Sequence, residues 1–418
     1  MKKVKIGVLG AYRGFSMINF CSLYPNAELV AICDKSDEVL IDCKEKLKRL
    51  NANCNPKFYK DFDEFINHDM DAVVLANYAT EHAPFAIKCL NKGLHVMSEV
   101  LPCQTLKEAV ELVEAVEKSK KIYSYAENYC YMPANSEMRK LFMDGTLGEF
   151  QYGEGEYIHD CHEIWPDITY GYENHWRNNI YSTFYCTHSI GPLIHISRLR
   201  PVSVVGFELP MQERMIKLGC KGGLGTLGIE IITLENGAVL KSVHGCGLYR
   251  RPGSVWYSVY GKKGCAESNR WTETAQEITT SIEGNENNHY LPKPLNNSEL
   301  SKEMSGHGGC DFYTTYYFVE SILGNNEGLS NMIDVYEALD MFLPGLFAYK
   351  SILEGNIKMD IPNFRIKEER DKYRNDTFCS DKNIANDMYV YPHSSGEIKI
   401  DKKVYEEVNK EYKRRKGH

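Results

Sequence analysis

The chain has 418 residues, 43% of them hydrophobic and 25% charged, enough for two or three domains each with a full core. Its formal net charge of −8 repels the phosphates of nucleic acids and anionic membrane surfaces, so neither is expected as a partner. No apolar stretch approaches the ~20 residues of a membrane-spanning helix, and the N-terminus enters a strand directly instead of a signal peptide, which predicts a cytoplasmic protein. The 14 cysteines include no CxxC pair; in a reducing compartment they read as small buried hydrophobes, not disulfides or a zinc knuckle.

An apolar strand at residues 5–9 empties into the turn Gly10-Ala11-Tyr12-Arg13-Gly14 at a helix start. Free backbone N–H groups and the helix dipole suit a pyrophosphate there, with Gly10, Tyr12, Arg13 and Gly14 forming the cradle. Tyr12 stands where a second glycine usually permits close phosphate approach. The following strand ends on Asp34, an acid placed to bind both ribose hydroxyls. Its charge would repel a 2′-phosphate, so the expected cofactor is NAD rather than NADP, a preference tempered by neighbouring Lys35.

Strands and amphipathic helices then alternate: a buried strand at 71–76, a helix at 81–91 stopped by Gly93, a strand at 94–99, and a helix opened by a capping box at Thr105 and Glu108. A strand at 122–126 closes the pattern. This βαβ rhythm predicts an α/β doubly wound Rossmann domain over residues 1–126. Beyond it, strands follow one another without helices between them: 150–157, 202–207, a hairpin of 226–234 and 238–243 around a type I′ turn at Asn236-Gly237, and another of 254–260 and 264–268. They predict an α+β domain over 127–366 with a largely antiparallel, open-faced sheet. Residues 284–301 read as a long loop, a candidate lid, and 367–418 as a charged, solvated extension.

The runs Asn77-Tyr78-Ala79-Thr80-Glu81-His82-Ala83-Pro84, Gly93-Leu94-His95-Val96-Met97-Ser98-Glu99, Asn128-Tyr129, Met143 to Gly148 and Gly261-Lys262-Lys263-Gly264 occur in that order. In this the chain resembles the glucose-fructose oxidoreductase, inositol dehydrogenase and rhizopine catabolism (Gfo/Idh/MocA) family over residues 1–360. The resemblance implies an NAD-dependent oxidoreductase acting on a sugar, cyclitol or glycoside at a ring hydroxyl carbon, assembled as a homodimer or homotetramer. It also places Asn77, His82, Glu99 and Asn128 in the cofactor site.

The family usually follows the glutamate with Lys-Pro, the lysine moving the proton of the oxidised hydroxyl; here the run is Glu99-Val100-Leu101-Pro102. Trp176-Arg177, then Tyr185-Cys186-Thr187-His188, then His307-Gly308-Gly309 with Asp311, are similar to the branch that hydrolyses N-acetylgalactosaminides with bound NAD and lacks that lysine. This local similarity carries proton-transfer roles onto Tyr185 and His188 and a substrate-pocket role onto Trp176, Arg177 and His307. Two activities follow: net oxidation of a sugar or cyclitol, or glycoside hydrolysis by transient C3 oxidation, C2 deprotonation, elimination, water addition and re-reduction. A third reading, favoured by the missing lysine alone, is an NAD-binding sensor without turnover.

Physical chemistry supports the pair independently: His188 can take and return a proton near neutrality, and a tyrosine three residues earlier shares its face if the segment is helical. Imidazole and carboxylate in His159-Asp160-Cys161-His162, with Glu163 and His175 nearby, could hold Zn²⁺ or Mn²⁺. Hydrogen bonding of His159, Asp160 and His162 to sugar hydroxyls is the favoured reading, and no metal site is assigned. Trp165, Tyr170, Tyr172 and Trp176 suit stacking on a sugar ring, or packing of a long loop.

Overall fold

The computed structural model of the chain describes residues 3–272, 275–304 and 306–417. They form two compact units, one of Met1–Met132, Pro294–Leu339 and Asp371–Arg374, the other of Pro133–Lys293, Asp340–Arg370 and Asn375–His418. Among the described residues no helix is long and apolar enough to cross a membrane.

In the first unit β1 (Val4–Leu9), β2 (Ala27–Cys33), β3 (Lys57–Tyr59), β4 (Ala72–Leu75), β5 (His95–Ser98) and β6 (Tyr123–Tyr125) make one sheet, ordered β3-β2-β1-β4-β5-β6. Every pair is parallel. The strands are apolar almost without interruption because helices cover both faces, as a parallel sheet requires. Strand order reverses between β1 and β4, which places the ligand crevice at the carboxyl ends of these strands.

The first unit runs further than the expected boundary at residue 126. The Tyr125 N–H donates to Ile333 O (2.8 Å), the Tyr131 hydroxyl to Asn331 O (2.8 Å), and Asn128 Nδ2 to Asp311 Oδ1 (2.7 Å). These bonds tie 294–339, including His307, to the nucleotide-type sheet instead of to the second domain. Long-range pairing of this kind leaves no periodic trace in sequence.

The second unit holds β7 (Phe150–Ile158), β8 (Pro201–Glu208), β9 (Gly228–Leu234), β10 (Val239–Gly245), β11 (Ser254–Gly261), β12 (Gly264–Ser268), β13 (Ile278–Ile282), β14 (Asn288–Tyr290) and β15 (Met359–Asp360), in the order β14-β13-β12-β11-β7-β10-β9-β8-β15. Only β7 and β10 pair in parallel. The β9–β10 turn differs from expectation: Gly237 takes a left-handed φ of +86° while Asn236 does not, and Leu234 N–H bonds Ala238 O (2.8 Å). This is the three-residue hairpin with a glycine bulge, not type I′, which needs positive φ at both central residues.

Residues 284–301 contain β14 and enter a helix at Ser298–Met304. The expected solvated tail instead carries a helix, Lys402–Lys416, whose Tyr405 and Val408 are buried. Gly219 and Gly171, both at positive φ, leave the space it fills: an added Cβ would stand 2.5 Å from the Tyr405 ring and 2.3 Å from Asn409 N. A highly charged helix can thus dock through one narrow apolar stripe, which its composition hides.

Candidate functional site

At the end of β1, Gly10 adopts φ +93°, and a Cβ there would lie 2.4 Å from the Ala76 carbonyl. Gly14 is equally constrained, its added Cβ meeting Gly10 O at 2.4 Å, and its N–H bonds that oxygen at 3.0 Å. The turn therefore needs both glycines where β1 approaches β4. Asp34 braces it: Oδ2 accepts the Ala11 N–H and Oδ1 the Ser36 N–H, each at 2.9 Å. Tyr12, in the place of the usual second glycine, projects into solvent.

Arg13 reaches two acids of the same unit, with NH2 2.5 Å from Glu99 Oε1 and NH1 3.4 Å from Asp311 Oδ2. Asp311 also accepts Asn128 Nδ2–H and lies 3.0 Å from His307 Nδ1. Burial opposes ionisation of Asp311, but the His307 hydrogen bond and the Arg13 charge outweigh it and hold the carboxyl well below its usual range. His307 is half exposed, beside Tyr129 at 6.3 Å between ring centroids.

His82 lies differently from its expected place. It is 1% exposed, with Nδ1 2.9 Å from Leu101 O, and burial lowers its pKa to about 4, so it is a neutral prop beneath the loop carrying Glu99 and Val100. Val100, where the family pattern has lysine, is itself buried. Asn77 sends Nδ2 to Glu81 at 3.4 Å and leaves Oδ1 buried without a hydrogen-bond partner among the described residues. A tight turn that only glycine can make, an acid at the end of β2 and an unsatisfied amide beyond β4 fit a dinucleotide.

In the second unit, helix Thr187–Ser197 lies on β7 because Gly153 and Gly155 let it approach: an added Cβ at Gly155 would meet Ser189 O at 2.0 Å. The Ser189 and Ser242 hydroxyls bond at 2.7 Å and pin the helix to β10. Pro192 lacks the N–H that would bond the His188 carbonyl one turn back, and the Tyr257 hydroxyl donates to that carbonyl instead, at 2.5 Å. His188 is held by this arrangement with its ring 5.2 Å from Tyr185 and 4.8 Å from Tyr157. The Tyr157 hydroxyl lies 3.2 Å from His159 Nδ1.

Trp176 joins the same cluster, 6.0 Å from Tyr185, with Arg177 stacked over it at 4.2 Å. The expected site residues His159, Trp176, Arg177, Tyr185 and His188 are therefore brought together. Asp160 is not among them: it accepts the His162 N–H and pairs with Arg214 at 3.0 Å, a partly buried ion pair that shapes the turn. Trp165 is fully buried, its Nε1–H donated to Asn178 (3.0 Å), so it packs the loop instead of offering a sugar platform. Tyr170 packs on Tyr412 at 5.2 Å.

Tyr157 and Cys161 were not legible as site residues. Tyr157 reads in sequence as one more strand aromatic, and Cys161 as a buried hydrophobe. In the structure the Cys161 thiol is lowered by hydrogen bonding to Cys246 and His159 against its burial, while the Cys246 thiol is raised.

Residues 4–127 match the model of the oxidoreductase family with the NAD-binding Rossmann fold, and 212–370 that of the glycosyl hydrolase 109 C-terminal domain. Residues 4–127 thus form the NAD-binding domain of the Gfo/Idh/MocA oxidoreductase family. By fold and cofactor site the chain is an NAD-dependent oxidoreductase. It is similar to the glycosyl hydrolase family 109 proteins of Saccharopolyspora erythraea (26% identity, covering 86% of this chain and 83% of the relative) and Solibacter usitatus (25%, 86% and 88%). The likeness to glycosidases, local in the motifs, thus extends over most of the chain. Among solved structures, aldose-aldose oxidoreductase from Caulobacter crescentus aligns with a TM-score of 0.67 at 18% identity (86% of this chain, 100% of that one). Levoglucosan dehydrogenase complexed with NADH and L-sorbose aligns at 0.69 and 15% (87% and 100%), and both share the fold of this chain.

Proposed function

We propose that the protein is a glycoside hydrolase that keeps NAD through its catalytic cycle: the sugar is oxidised at C3, the aglycone is expelled after loss of the C2 proton, water adds at C1 while C2 regains a proton, and C3 is reduced again. The observation that carries this reading is the placement of proton-transfer groups. The loop position of the family lysine holds a buried valine, while Tyr185, His188 and Tyr157 converge on one face of the second sheet. Likeness to family 109 hydrolases over 86% of the chain supports it.

NAD⁺, when bound, would supply reversible hydride acceptance. Gly10, Gly14 and Asp34 would hold it, and the Asn77 amide oxygen would offer an acceptor nearby. Tyr185 removes the C2 proton, its ring held between Trp176 and His188; His188 accepts the proton of the C3 hydroxyl and returns it. Arg177, fixed on Trp176, and His159 bind sugar hydroxyls. The protein is read as a cytoplasmic homodimer or homotetramer without nucleic-acid or membrane partners. The outer sheet face, with Phe207, Ile231 and Tyr260 exposed, is the surface for self-association, to be checked by light scattering.

The deciding experiment hydrolyses a panel of aryl glycosides in D₂O with NAD⁺ in catalytic amount. Deuterium at C2 of the released sugar, without accumulation of NADH, is the expected result. Inert glycosides, with NADH rising in proportion to an oxidised free sugar or cyclitol, would instead establish a net dehydrogenase.

A further inference from the structure

Where β7 runs out, the chain stays extended beside the end of β10. His159 N–H bonds Gly245 O at 3.0 Å, and Cys161 N–H bonds Cys246 O at 3.4 Å. Residues two apart on an extended segment face the same way, so His159 and Cys161 present their side chains together. The neighbouring strand end adds Cys246. As a result His159 Nδ1, Cys161 Sγ and Cys246 Sγ all lie within 4.8 Å of one another, and Nδ1 and Cys161 Sγ are 3.3 Å apart. It is the one such donor group among the described residues, and none of Asp160, His162, Glu163 or His175 is in it.

We propose that His159, Cys161 and Cys246 form a binding site for Zn²⁺ with an open fourth position. Tetrahedral zinc, with Zn–N of about 2.0–2.1 Å and Zn–S of about 2.3 Å, sets its ligand atoms roughly 3.5–4 Å apart. With Nδ1 and Cys161 Sγ 3.3 Å apart and no donor more than 4.8 Å from another, a shift of about 1 Å or less brings the three to that spacing. Two thiolates and an imidazole select a thiophilic ion over Mg²⁺, Ca²⁺ or Mn²⁺. Both cysteines are free and almost wholly buried, so the sulfurs form a dry floor, while exposed His159 forms the rim and leaves one side open to water or a sugar hydroxyl.

Two alternatives are weaker: an isolated cysteine pair has no use for the adjoining imidazole, and a disulfide is not formed. The Arg177 charge nearby opposes a cation, yet a bound divalent ion with two thiolates is neutral overall and meets no large net repulsion.

The test uses the full chain, stripped with a chelator and reloaded with Co²⁺ as a spectroscopic substitute, then with Zn²⁺ against a chromogenic chelator. Equimolar Co²⁺ should bring up a near-ultraviolet thiolate-to-cobalt band and the intense visible bands of a tetrahedral ion. Cys246→Ser and His159→Ala should abolish or shift these bands and weaken Zn²⁺ binding by about 100-fold or more, whereas Cys54→Ser, outside the cluster, should change neither. His159→Ala alters an exposed side chain, so it remains informative even if the buried cysteine variant does not fold. Absence of the charge-transfer band in the wild type, or its persistence in folded His159→Ala with unchanged Zn²⁺ affinity, overturns the proposal. The readout is binding, so it is independent of which sugar reaction the protein performs.

Discussion

Asp34 works on both sides of its carboxylate, bracing the Ala11 and Ser36 amides while standing where a ribose would bind. Asp34→Ala should weaken NAD⁺ binding by about 1–3 kcal/mol, the range for charge-assisted hydrogen bonds, and erase the preference over NADP⁺ in titration calorimetry. Tyr185→Phe and His188→Ala should each lower turnover by about 10²–10⁴ without loss of NAD⁺ affinity, as expected of a positioned acid or base. Val100→Lys tests the converse. Its ammonium would enter a buried position beside Arg13 and Glu99, so it should destabilise the fold and leave turnover no higher; a large gain would mark the wild-type site as a decayed dehydrogenase.

At the scale of elements, the helix Leu106–Ser119 begins as the sequence suggests, Thr105 accepting the Glu108 N–H at 3.2 Å. The return bond lands one residue early, from Gln104 N–H to Glu108 Oε2 at 2.7 Å, and the glutamate is 9% exposed. Burial raises its pKa to about 7. A raised carboxyl pKa means that stability is fully present below the unfolded value near 4 and is lost as pH rises through about 7, when the fold must hold a buried charge. Glu108→Gln should therefore match the wild type below about pH 4 and exceed it by up to about 3 kcal/mol at pH 8, as read by urea unfolding across this range. The capping box was legible; the burial that turns it into a pH-dependent element was not.

For the molecule as a whole, the C-terminal helix is part of the second unit. The Tyr405 hydroxyl donates to Gly219 O (3.0 Å), Asn409 Nδ2 to Tyr170 O (2.7 Å), and Arg415 pairs with Asp167 (2.9 Å). Tyr405→Ala should cost about 3–5 kcal/mol, the range for deleting a large buried aromatic, and lower the thermal midpoint, while Lys413→Ala on the same helix should leave it unchanged. A wild-type midpoint in Tyr405→Ala would return the segment to a solvated tail.

Local pattern was sufficient for the parallel sheet and the glycine turn with Asp34, because each is written in residues adjacent in the chain or set by strand and helix periods; the absent lysine at Val100 and the Tyr185–His188 pair were legible only through the family resemblance. The tertiary structure decided what depends on residues distant in sequence. It assigned His307 to the first unit through Asn128 and Asp311, turned His82 inward beneath Leu101, committed Asp160 to Arg214, and closed Cys246 onto Cys161 across 85 positions of chain. Burial and long-range pairing set the charge and reach of each of these groups, and neither is encoded in local periodicity.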